Sequence, residues 1–173
     1  MRSSGLVFEY LRGGAEILST LSSVKSTAKQ KLLARINRKD WWHVPPTDPK
    51  AYQQRGKFLA STFAQAEFWG RPLDTPIHVN VKNPLIGDEP TIETELLGAP
   101  VPYPGDDHPK LLKWRWALDA KLKKAALAKG YDAILLLSTS AYDKFSAEGK
   151  IPVSLELNLL REDCELFPAL NDS

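Results

Sequence analysis

Cysteine is almost missing from this 173-residue chain: Cys164 stands alone, so an internal disulfide and a Cys-rich zinc site are both excluded. A lone thiol suits a reducing compartment, and a cytoplasmic location is expected. No run of about 18 apolar residues occurs, so no membrane-spanning helix is expected. The N-terminus lacks a continuous apolar h-region, so no secretory signal is expected either. Phosphate-cradling glycine loops are missing too, because Gly13-Gly14 has neither the GxGxxG nor the GxxxxGK[ST] spacing. HExxH and EF-hand patterns do not occur, and His43, His78 and His108 stand far apart, so no metal is expected. Ser138-Thr139-Ser140 follows an apolar run but lacks the GxSxG elbow, which argues against a Ser-His-acid hydrolase.

What is present describes a globular chain. An apolar fraction of 43% and a charged fraction of 25% are ordinary values, and the length suits one domain with an appendage. Net charge is only +2 but is uneven: residues 1–40 hold eight Lys/Arg against three acids, a local +5 that leaves −3 for the remainder. A second basic block, Lys110 to Lys129, holds seven Lys/Arg and a single acid, Asp119. Such faces suit nucleic acids, nucleotide phosphates or an acidic protein, and they are also what an ordinary solvated helix shows.

Periodicity places the elements. Ile17, Leu21, Val24, Ala28, Leu32 and Ile36 recur every three or four residues, which predicts one amphipathic helix from about Ala15 to Ile36. Its apolar stripe needs a surface, either on this domain, on a partner or on a membrane, and residues 1–39 are read as an N-terminal helical segment ahead of a domain over 40–173. Short strands are expected at 41–44, ended by Pro45-Pro46, and at 57–60. A helix from Phe63 to Phe68, capped by Ser61 or Thr62, follows the second of these. Ile77, Val79 and Val81 alternate with His78, Asn80 and Lys82 in a further strand. Six prolines make residues 83–109 largely irregular, with room for a short helix near Ile92 to Leu97. Pro109 to Lys129 reads as a helix closed by Gly130, Ala133 to Leu137 as a buried strand, 138–150 as a polar loop, and Val153 to Leu160 as the last strand. Helices and strands intersperse without regular βαβ spacing, so α+β is the expected class.

Several motifs then line up in order. They are Trp41-Trp42-His43; Phe58-Leu59-Ala60-Ser61-Thr62; Ala66-Glu67-Phe68-Trp69-Gly70; Val79-Asn80-Val81-Lys82-Asn83-Pro84-Leu85 leading to Asp88-Glu89; Gly130-Tyr131-Asp132; and Val153-Ser154-Leu155-Glu156-Leu157. This order over residues 40–160 resembles ADP-ribosyltransferase-like domains, in particular the rifampin-modifying and phage-associated branches and poly-ADP-ribosyl relatives. The resemblance implies an α+β fold with a split antiparallel sheet, NAD as substrate, and transfer of ADP-ribose to a protein or nucleic-acid acceptor by a bacterial or phage toxin or effector. An antitoxin or chaperone engaging the N-terminal helix would fit that setting.

The resemblance also implies roles. His43 would contact a ribose, and Phe58 or Trp69 would stack on nicotinamide. Ser61 or Thr62 would hydrogen-bond near it, and Glu156 would stabilise the ribosyl cation, with Asp88 or Glu89 competing for that part. The chain departs from the family where His-Gly-Thr becomes His43-Val44-Pro45 and where the stacking Tyr becomes Phe or Leu. Arg12 in Arg12-Gly13-Gly14 resembles the first motif of arginine-type transferases and competes with His43. Two other readings stand beside this one: a non-catalytic binding module of the same fold, and an RNA-binding domain that uses the basic helices.

Overall fold

The computed structural model describes residues 27–167, and the expectations for Arg12 and for helix 15–26 lie outside the described residues. A helix over 27–38 (α1) opens the described chain. Then follow β1 (Trp42–His43), α2 (Ala51–Arg55), β2 (Lys57–Ala60), α3 (Phe63–Glu67), β3 (His78–Val79), β4 (Pro84–Gly87), α4 (Glu89–Leu97) and α5 (Leu111–Ala128). The described residues continue through β5 (Ala133–Leu136), α6 (Thr139–Glu148), β6 (Glu156–Leu159), a 3-10 turn and β7 (Glu165–Leu166).

Among the described residues, five strands form the main sheet in the order β1-β2-β6-β5-β4, and β3 and β7 pair separately. Every pair is antiparallel except β4 with β5, which run parallel because α4 and α5 carry the chain back between them. The architecture is thus α+β, mostly antiparallel, with flanking helices.

The sheet is covered on both faces. On one, Leu59, Leu135, Leu157 and Leu159 pack with α1 through Leu32 and Ile36, and with Trp41, in a continuous core. On the other, Leu85 and Ile134 pack against Ile92 and Leu96 of α4 and Leu118 and Leu122 of α5. Burial from both sides explains why β5 carries the unbroken apolar run Ala133 to Leu137. Leu32 and Ile36 are fully buried, so the apolar stripe of α1 lies on this domain's own sheet. The helix is tied down further: Trp41 Nε1 donates to the Ile36 carbonyl at 2.9 Å, and the Asn37 amide exchanges two 2.8 Å bonds with the Val81 backbone.

The structure corrects several expectations. Residues 138–150 are not a loop but contain α6, with the Ser138 hydroxyl accepting from Ala141 N–H and Gly149 closing it at φ +68°. The proline-rich stretch 83–109 holds β4 and the nine-residue α4. Pro84 is tolerated because it opens its strand. Val153 is 82% exposed and outside β6, which starts only at Glu156, and a further short strand, β7, follows it. Ile77, Val79 and Val81 are buried on one face as their alternation requires, yet ladder pairing there is confined to His78–Val79 and one bridge from Ile77 to Trp41.

Candidate functional site

A cleft of about 970 Å³ opens over the second face of the sheet, walled by α2, α5, the start of α4 and the Val44–Asp48 segment. Its size falls within the range of ligand pockets, about 300–1,000 Å³. Strand register decides what forms its floor. Glu156 lies between Ala60 of β2 and Leu136 of β5, Asn158 lies between Phe58 and Ile134, and Trp42 is opposite Ala60. Cross-strand partners share a face, so Trp42, Phe58, Glu156 and Asn158 all look into the cleft, and all four line it.

The same register sends His43 elsewhere. It pairs with Leu59, which pairs with Leu157, and both leucines belong to the opposite core. His43 is buried, with Nδ1 2.8 Å from the Phe58 carbonyl and Nε2 2.9 Å from the Tyr52 hydroxyl. The carbonyl can only accept, so Nδ1 carries the proton and Nε2 accepts from Tyr52. Burial holds the His43 pKa below its usual value, with the Phe58 carbonyl acting in the opposite sense and Lys57 adding to the depression. The structure therefore does not bring His43 and Glu156 together.

The other sequence-nominated residues divide in two. Phe58 presents a ring that is 46% exposed on the cleft face, and Trp69, 69% exposed, stands at the rim beside Phe68 in an edge-to-face pair. Glu89 lines the cleft and reaches Arg115 at 3.2 Å. Asp88 is buried and caps α4, accepting from Thr91 N–H at 3.0 Å. Burial alone would raise the Asp88 pKa, but hydrogen bonds from Thr91 and Thr139 outweigh it and leave the pKa lowered. Thr62 caps α3 by accepting from Gln65 N–H at 3.1 Å. Ser61 is buried and ties β2 to the segment before β6: its N–H donates to the Leu155 carbonyl, and its Oγ accepts from Leu155 N–H at 3.1 Å.

Electrostatics mark two carboxyls. Burial pushes Glu156 above the usual carboxylate range; the Gln65 side chain and Arg115 pull the other way, and Glu89 adds to the rise. Asp119, on α5, is pushed up to about 6 by burial, against the opposing pull of Arg115 and Arg55. Arg115 Nε lies 3.3 Å from Asp119 and its Nη1 3.2 Å from Glu89, so one guanidinium bridges two carboxyls at the cleft wall. The Arg55 guanidinium lies 4.6 Å over the Trp116 ring, joining α2 to α5. Lys123 reinforces that junction by donating to the Tyr52 and Gln53 carbonyls. Among the described residues no three His, Cys, Asp or Glu side chains are arranged to hold a metal ion.

Sequence reasoning missed Gln65, Arg55, Arg115, Trp116, Asp119 and Asn158. Asp119 was the findable one: it sits one residue after Leu118 and three before Leu122, on the apolar face of a helix whose other charges are basic. An acid in that position is either paired or part of a site. No family model matches the chain, and no curated protein or solved structure proved significantly similar to it.

Proposed function

We propose that this cleft binds NAD and transfers its ADP-ribosyl group to a macromolecular acceptor, within an ADP-ribosyltransferase-like domain acting in the cytoplasm. One observation carries the reading: Glu156 is a half-buried carboxyl on the floor of a dinucleotide-sized cleft, beside the exposed ring of Phe58. Breaking the bond between nicotinamide nitrogen and ribose C1′ sends the bonding pair to nicotinamide, which leaves neutral. The ribosyl cation so formed is stabilised by the Glu156 carboxylate, preorganised in a partly water-free site. The acceptor nucleophile then bonds to C1′ and releases its proton to solvent.

Phe58 or Trp69 provides the ring on which nicotinamide stacks, and Arg55 provides positive charge for the pyrophosphate. Ser61 and Thr62 act through the backbone and through Gln65 rather than on the ligand. His43 braces β1 against α2. Lys31, Arg35 and Arg38 of α1 and Lys39 just past its end line one shallow surface pocket, and none makes an ion pair among the described residues, which favours a polyanionic acceptor.

The test is nicotinamide release by the purified protein beside Glu156→Gln and Glu89→Gln. Glu156→Gln is expected to lose at least about 100-fold in rate, the cost typical of removing one stabilising group from a developing charge. Glu89→Gln should retain most of the rate, since Glu89 already serves Arg115. Release should also fall on acidification, beginning above the ordinary carboxylate range, because Glu156 must be ionised and its pKa is raised. No release from wild type, with no NAD binding by calorimetry, would overturn the reading. NAD binding without release would support a non-catalytic module instead, a reading that the engagement of both His43 ring nitrogens favours.

A further inference from the structure

Residues 27–39 contain five Lys/Arg and no acid. Lys31, Arg35 and Arg38 follow one another at spacings of four and three, which puts them in one strip along α1. All three are exposed, and with the half-buried Lys39 they line a shallow surface pocket of about 380 Å³ that, among the described residues, has cations alone for walls. None of the four has an ion-pair partner among the described residues, and the next acid along the chain, Asp40, is held by His78 Nε2 at 2.6 Å. The apolar stripe that would let such a helix lie in a membrane surface is used elsewhere. Leu32 and Ile36 are buried against the sheet, and every exposed side chain of α1 is polar. No aromatic residue occurs in 27–39, so the strip has neither the apolar centre of a protein interface nor the stacking platform of a single-strand binder.

We propose that the strip formed by Lys31, Arg35, Arg38 and Lys39 is a docking surface for the phosphates of a nucleic-acid duplex, bound without regard to base sequence. The inference names the polyanion left open above and needs nothing from the cleft, because α1 covers the opposite face of the sheet. Dimensions agree. Arg38 lies seven residues after Lys31, about 10 Å of helix at 1.5 Å per residue, and the phosphates of one strand recur about every 3.4 Å along a duplex axis. About three phosphates thus fall beside the three helical cations, and Lys39 extends the row toward a fourth. Charge supplies the affinity: each phosphate neutralised releases condensed counterions, so binding of this kind weakens steeply with salt. The support is firm, because the Asn37 amide is bonded twice to the Val81 backbone and Trp41 Nε1 holds the Ile36 carbonyl, so little ordering is needed on binding.

The experiment is fluorescence anisotropy of a labelled DNA duplex of about 20 base pairs with the full chain, without NAD, from about 50 to 300 mM salt. Arg35→Gln combined with Arg38→Gln is expected to bind at least about 10-fold more weakly at the lowest salt. It should also flatten the slope of log K against log salt by about 1.8, the share of two phosphates. Lys121→Gln combined with Lys124→Gln removes the same charge from exposed positions on α5 and should leave the slope as in wild type. Surface changes of this kind leave the fold intact, which unchanged melting temperatures check. Two duplexes of unrelated sequence should bind alike, and a single strand of the same length more weakly. Absence of duplex binding at the lowest salt, or an equal loss from the α5 pair, would overturn the proposal. So would a single strand, or phosphatidylserine vesicles, bound as tightly as the duplex. Nicotinamide release without duplex binding would overturn the strip alone. Duplex binding by a protein that releases no nicotinamide would support the strip and overturn only the reaction.

Discussion

Asp119 shows how much one buried carboxyl can do at the residue scale. It is 8% exposed, on a helix face otherwise given to Leu118, Leu122 and Ala126, and Arg115 reaches it from one turn away. Burial still wins over the ion pair, since its pKa is pushed up to about 6, whereas in the unfolded chain it is about 3.9. The folded state therefore holds the proton more tightly than the unfolded state. Stability from this group is fully present at low pH and is lost as pH rises from about 4 through about 6. Two units at roughly 1.4 kcal/mol each set the scale, so above the folded pKa the charged form costs up to about 3 kcal/mol. Asp119→Asn removes the titration and keeps the shape. The stability of this variant relative to wild type is expected to rise by up to about 3 kcal/mol between pH 4 and pH 7, measured by urea unfolding at each pH. A difference that stays flat with pH would mean that Arg115 already pairs the charge in full. A neutral Asp119 at mildly acid pH would also leave Arg115 to Glu89 alone, which couples the wall of the cleft to proton concentration.

At the scale of elements, α1 belongs to the domain although its composition suggests an appendage. Leu32 and Ile36 are fully exclusive of solvent and meet Trp41, Leu59 and Leu157 across the sheet. Leu32→Ala is expected to cost about 2–5 kcal/mol, because the cavity would open in a core that strands hold on the far side, and urea unfolding checks it. A cost under about 1 kcal/mol would mean that the helix is only loosely seated. The helices and strands that could be read in advance were those with a strong period. α5 followed its Leu-Trp-Leu-Leu stripe, β2 agreed residue for residue, and β5 announced itself by its apolar run. α6 was illegible because it buries no residue completely: Ala141, Tyr142 and Phe145 only lean on the core, so period gave little, although Ser138 and Gly149 are ordinary start and stop signals. β4 hid behind Pro84. The candidate site was legible in part, for Glu156, Phe58, Trp69 and Glu89 do line one cleft. His43 was misassigned to it because the face of a two-residue strand depends on register, and a shift of one residue exchanges Trp42 for His43. The arginines and Asp119 come from α2 and α5, far away in sequence, and only the packing of those helices joins them.

At the scale of the whole molecule, β6 is where core and cleft meet: Leu157 and Leu159 anchor it in one layer while Glu156 and Asn158 face the other. That arrangement lets a ligand stabilise the fold directly, because anything filling the cleft touches β2, β6, α2 and α5 together and binds only when they are assembled. NAD at about 100 times its Kd should add about 2.7 kcal/mol to stability. For a chain of this length that raises Tm by about 5–10 °C, read by differential scanning fluorimetry. Glu156→Gln should keep the full rise, since the carboxylate acts on charge that develops only as the bond breaks, whereas Arg55→Ala should lose most of it by removing the cation over Trp116. The pattern of these three melts separates the readings. A rise in wild type and Glu156→Gln, with turnover in wild type alone, is the behaviour of a transferase. The same rise without turnover belongs to a binding module. No rise in any of them, while the proteins remain folded, would mean that the cleft was shaped for a different ligand and that the order of motifs along the chain reflects shared local structure rather than shared chemistry.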